Sequence, residues 1–197
     1  MSARRPGAIT GTLTEDSTMD TTFQPDPRMV GTALLLARLV LGLIMTAHGT
    51  QKLFGWFGGY GLNATGEFFG QLGFTPGRFF AAAASVSEVT SGLLLALGFL
   101  GPVGPAIMIA VMIVAAITVH WEHGLFAASN GIELPLLYAT GALGIALAGA
   151  GPYSLDAFLG LTTLWTPKLV AAILAIGVFG GFGNLLMRRR PTQARRV

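Results

Sequence analysis

Apolar residues along this chain come in long blocks, separated by short stretches rich in glycine, proline and charge. Five blocks approach the length of a membrane-crossing helix, about 20 residues for a hydrocarbon core of about 30 Å. The first runs from about Thr32 to His48, and the second from after Thr75-Pro76-Gly77-Arg78 to near Leu100. The third follows Gly101-Pro102-Val103-Gly104-Pro105 and ends near Trp121; the fourth covers about Glu133 to Ala150 and the fifth about Pro167 to Met187. The very short Gly-Pro turn between the second and third blocks makes those two helices antiparallel neighbours. The pattern therefore predicts an all-α membrane protein with an antiparallel four-helix transmembrane core over residues 29–160. A fifth, C-terminal transmembrane helix follows over 161–187.

Local signals mark the boundaries. Thr75-Pro76 and Thr166-Pro167 each set a capping hydroxyl before a proline at the first helical position. Asn130-Gly131-Ile132-Glu133 has capping-box spacing, with Glu133 able to reach back to the Asn130 amide. The link from His48 to Arg78 is glycine-rich and aromatic, which suits partial burial at the membrane interface. Ser154 to Leu161 reads as a short interfacial helix. Residues 1–28 carry acidic and polar positions without the apolar core of a signal peptide, and are expected to be a disordered tail. Residues 188–197 form a basic C-terminal tail.

Composition agrees. Of 197 residues, 52% are hydrophobic and only 11% charged, against about 25% charged in soluble domains. So few charges cannot coat a water-soluble body. The net charge of +3 is no nucleic-acid signal, because Arg188, Arg189, Arg190, Arg195 and Arg196 cluster behind the last apolar block, as a membrane-orienting anchor does. That cluster, with Lys52 and Arg78, places the C-terminus in the cytoplasm of a multi-pass cell-membrane protein. The absence of cysteine excludes disulfides, Cys-ligated iron–sulfur clusters and thiol redox chemistry on this chain.

Charges inside the spans carry the candidate chemistry, since each costs about 2.5–3.5 kcal/mol at the bilayer centre by insertion scales. Arg38 lies two turns into the first span and Glu88 near the middle of the second. Ala84, Glu88, Gly92 and Ala96 recur every fourth residue, placing the carboxylate on a small-residue face that meets another helix. An offset of roughly 9 Å in depth is within reach of a guanidinium, so Arg38 and Glu88 are expected to pair, as a structural lock or as part of a site. The remaining polar residues gather at one end: His48, Gln51 and Lys52, then Glu67, then His120, Glu122 and His123, then Glu133. Each alone has an ordinary reading as a snorkelling, capping or solvated residue. Their convergence is the strongest site signal. No metal motif such as HExxH is present, and no metal site is assigned.

In order along the chain stand Arg38-Leu39-Val40-Leu41-Gly42, His48-Gly49-Thr50-Gln51-Lys52-Leu53-Phe54-Gly55, Gly58-Gly59-Tyr60-Gly61, Glu88 with Gly92, Val119-His120, Gly131-Ile132-Glu133 and Gly149-Ala150-Gly151-Pro152-Tyr153-Ser154-Leu155-Asp156. This series resembles the DoxX family over about Val30 to Leu159. The resemblance implies a four-helix membrane core and a place in membrane redox systems, among subunits of quinol- and quinone-linked oxidoreductases. It supports Arg38, Lys52, Glu88, His120 and Glu133 as candidate site positions. The fifth helix departs from that core, and its Gly177 and Gly181 have the spacing of a packing or dimer face.

Two readings follow. In the first, the chain is the membrane subunit of a quinone-linked oxidoreductase complex. His48, His120 and Glu133 are its catalytic candidates, and Arg38, Glu88, Lys52 and Glu67 bind ligand or form a structural ion pair. A quinone is then the expected cofactor, and electrons come from a partner. In the second, it is a non-catalytic membrane anchor that assembles soluble redox-defence proteins. Expected partners are the lipid bilayer and other subunits or copies of itself, with no nucleic acid.

Overall fold

The computed structural model describes residues 25–189. Among the described residues are seven α-helices: α1 (Pro27–Phe54), α2 (Gly61–Gln71), α3 (Gly77–Leu97), α4 (Val103–Ala115), α5 (Glu133–Ala148), α6 (Leu155–Phe158) and α7 (Pro167–Leu186). No strand occurs among the described residues. Beyond Ala115, α4 continues through a π turn (Ala116–His120) and a 3₁₀ turn (Trp121–His123), making one rod of 21 residues. This rod, α1, α3 and α7 are each long and apolar enough to cross a membrane; α5, with 16 residues, is shorter. At about 1.5 Å per residue it measures about 24 Å. Its first turn nevertheless sits beside the end of the α4 rod and its last beside the start of α1, so its ends lie at opposite ends of the bundle.

In lipid the hydrophobic effect does not drive helices together, so close van der Waals fit between small residues has to. Helix α1 buries Gly31, Arg38, Gly42, Met45 and Gly49 along one face. Gly42 lies against the backbone of Gly92 and Ala96, and Gly49 against that of Ser85 and Val89. The small-residue face of α3 therefore does meet another helix, and that helix is α1. Helix α4 is central, touching α3, α5 and α7. Gly177 and Gly181 of α7 rest on the α4 backbone at Ala106 and Ala110, so these two glycines serve packing within the chain. Met45, Leu95, Met108 and Ala142 form the innermost core. Leu36, Val40, Leu43, Ile176 and Phe179 face outward, as lipid-facing positions should.

Several boundaries differ from expectation. Helix α1 begins at Pro27, capped by the Asp26 carboxylate, and runs on to Phe54, taking His48 and Lys52 into its body. The rest of the tail expected over 1–28, and the basic tail beyond Arg189, lie outside the described residues. Thr166 caps α7 as expected. Thr75 does not cap α3: the Thr75-Pro76 bond is cis and Pro76 is itself the N-cap residue. The capping box at Asn130 does not form either. Asn130 turns into the left-handed region, and Glu133 instead accepts from the Ala127 amide at 2.7 Å. The connection from His48 to Arg78 contains a real helix, α2, rather than loop alone.

Candidate functional site

The polar end of the bundle is built from four elements. The last turns of α1 present Lys52, the middle of α3 presents Glu88, the π turn after α4 presents His120, and α2 closes over them with Thr65, Phe68 and Phe69. Gly66 and Gly77, where the α2 and α3 backbones nearly touch, let α2 lie this close. Inside is a cavity of about 320 Å³ whose wall is mainly apolar, with Lys52, Glu88 and His120 as its charged or titratable members. The C-terminal half of α7 completes the wall with Gly180, Gly181 and Asn184. Arg188 and Arg189 tie that end down by donating from Nε and the amide to the carbonyls of Leu72 and Gly73.

Lys52 Nζ donates to Glu88 Oε1, the one ion pair found among the described residues. The pair is lopsided. Glu88 is 2% exposed while Lys52 keeps 34% exposure, so the lysine bridges the buried carboxylate and the surface. Glu88 Oε2 is buried with no hydrogen-bond partner among the described residues. A buried carboxylate oxygen without a donor is costly, and it commonly marks a place where a ligand or water donates. His120 Nδ1 lies 2.7 Å from the Asn130 carbonyl. A carbonyl only accepts, so Nδ1 carries the proton, and Nε2 is the nitrogen left for proton exchange with a ligand. The π turn that carries His120 inserts an extra residue per turn, a device found often at functional sites.

The expected Arg38–Glu88 pair does not exist. The contacts of Gly42 and Gly49 set the register of α1 against α3. In that register Glu88 lies level with the last turns of α1, and Arg38 level with Gly98, about ten residues or 15 Å away. Arg38 is fully buried at the opposite end, where Nη2 donates to the Tyr153 carbonyl at 2.7 Å. Of the other candidates, His48 packs edge-on against Tyr138, with Nδ1 3.2 Å from Gln51 Oε1, outside the cavity wall. Glu133 holds the turn at Ala127, and Glu67 lies on the exposed face of α2. The structure thus brings together Lys52, Glu88 and His120 and leaves His48, Glu67, Glu133 and Arg38 apart from them.

Other residues of this site went unnoticed in the sequence. Thr65, Phe68, Phe69 and Leu72 recur at helical spacing, a signal that the glycines around them obscured. At the opposite end of the bundle Asp156 is wholly buried, its carboxylate accepting from the amides of Leu100 and Gly101 and from Trp165 Nε1, all within 2.9 Å.

Apolar helices facing outward around a sheltered charged pair define an all-α, multi-pass membrane protein. Residues 33–121, from α1 to near the end of the α4 rod, match the family model described as DoxX. No curated protein and no solved structure matches the chain.

Proposed function

We propose that this protein is the membrane subunit of a redox system that binds a quinone-class ligand in the cavity beside Lys52, Glu88 and His120. The observation that carries this reading is the unpartnered, buried Glu88 Oε2 at the edge of an apolar cavity. A cavity of about 320 Å³ is at the small end of ligand pockets, about 300–1,000 Å³, and suits a planar ring with its tail directed toward lipid. A quinone, when bound, would supply two-electron, two-proton chemistry. The chain supplies the rest. Apolar α3, α4 and α7 exclude water from the ring. The Glu88 carboxylate accepts from a hydroxyl, His120 Nε2 takes or returns a proton, and Lys52 connects the carboxylate to the aqueous face. Electron exchange belongs to a partner subunit.

Native mass spectrometry of the protein extracted gently from its own membranes tests the reading. A bound mass matching a quinone, lost on replacing Ala84 in the cavity wall with Phe, is the expected result. Soluble proteins bound with no small ligand would transfer the chemistry to those partners. The chain would then be an anchor, a role favoured by its exposed aromatic shelf at Phe54, Trp56, Phe57 and Tyr60.

A further inference from the structure

A second cavity, of about 570 Å³, lies at the opposite end of the bundle between the last turn of α5 and the first turns of α7, with Arg38 and Asp156 in its wall. Arg38 is 1% exposed, and its Nε and Nη1 have no hydrogen-bond partner among the described residues. Asp156 does not neutralise it at contact distance. Both carboxylate oxygens are already engaged by Leu100, Gly101 and Trp165, and Arg38 forms no ion pair among the described residues. The guanidinium is held in place all the same. Tyr153 accepts from Nη2, and Nη1 sits where any side chain at Gly98, in the left-handed region with φ of 62°, would have to start. A permanently charged group has been sunk into a membrane bundle with part of its donor set unspent, which is the arrangement of an oxyanion receptor.

The rim of this cavity decides what kind of anion it takes. Leu147 is 69% exposed, and Ala148 and Ala171 beside it are also exposed. These residues lie on the outward sides of α5 and α7, so the mouth opens toward hydrocarbon. A ligand entering there needs an apolar tail, and a volume of about 570 Å³ is that of a pocket for one ligand chain.

We infer that Arg38 and the cavity between α5 and α7 form a binding site for an amphiphile with an oxyanion head group and an acyl tail, separate from the Lys52–Glu88 cavity. The carboxylate of a free long-chain acid and the phosphate of a bilayer lipid present the same oxyanion chemistry, and a titration can separate the two.

Purified full-length protein in a neutral maltoside is titrated with palmitate, with phosphatidylglycerol and with hexadecanol, and binding is read by native mass spectrometry. Palmitate or phosphatidylglycerol is expected to bind at least about tenfold more tightly than hexadecanol, the worth of one charge-assisted hydrogen bond; whichever anion does so names the source. Arg38→Gln is expected to remove that preference and Arg38→Lys to retain part of it. Ala148→Phe, which narrows the mouth without touching Arg38, should weaken all three ligands. Equal binding of hexadecanol and both anions by the wild-type protein overturns the proposal even if Arg38→Gln does not fold. Anion binding unaffected by Ala148→Phe overturns the location.

Discussion

Lys52 and Glu88 show how unevenly a membrane ion pair depends on its members. Lys52 has a flexible stem and retains exposure to the surface, so without Glu88 it snorkels to water. Glu88 has no such exit. Lys52→Met is therefore expected to cost roughly 2–3 kcal/mol by leaving an unpaired buried carboxylate. Glu88→Gln, which keeps shape and one acceptor for the lysine, should cost about 1 kcal/mol. Thermal unfolding of both variants in detergent checks the order, and a larger loss for Glu88→Gln would contradict the asymmetry. Gly98 makes a second test at this scale. Its left-handed conformation caps α3, and a methyl group there would run into the Arg38 guanidinium. Gly98→Ala should lower stability by about 1–2 kcal/mol or more, beyond the usual cost of alanine at a left-handed cap. Neither partner of Lys52 nor neighbour of Gly98 was legible along the chain, because each depends on which turn of one helix meets which turn of another.

At the scale of elements, the π turn and the α7 contact carry the predictions. Inserting one alanine between Val114 and Ala115, ahead of the π turn, is expected to swing His120 by about 100° around the helix axis. Circular dichroism should stay helical while ligand binding that depends on His120 is lost; retained binding would show that the turn does not position the imidazole. For α7, Gly181→Leu should lower the unfolding temperature of the single chain, because Gly181 contacts Ala110 and Ile113 of α4. Its sedimentation behaviour should not change, since the glycine face is already occupied within the chain. The spacing of Gly177 and Gly181 announced a close helix contact correctly. Spacing contains no information on whether the partner is α4 or a second copy.

For the whole molecule, the topology sets the membrane arrangement. With α5 counted, five passages put Asp26 and Arg188 on opposite faces. The basic residues Lys52, Arg78, Arg188 and Arg189 share one face, and a cytoplasmic placement of that face is the expectation of the positive-inside rule that labelling can test. The chain contains no cysteine, so single-cysteine variants report cleanly. A membrane-impermeant maleimide added to intact cells should label Lys168→Cys and spare Arg78→Cys. Labelling of both, or of Arg78→Cys alone, would overturn this arrangement. Two cavities at opposite depths, one beside Lys52–Glu88 and one beside Arg38, then face opposite halves of the bilayer.

Hydropathy and spacing by themselves determined the helical class, the near-complete set of long helices, the Thr166-Pro167 start of α7 and the gathering of Lys52 and His120 at one end. These depend only on local composition and on the length needed to cross a bilayer. Tertiary structure alone decided that Glu88 pairs with Lys52, that Arg38 is stranded near Gly98 and Tyr153, and that α2 closes a cavity over the pair. The reason is the register of α1 on α3. It is set by where Gly42, Gly49 and Gly92 allow two backbones to touch, and a shift of a few residues there moves every buried charge by several ångströms.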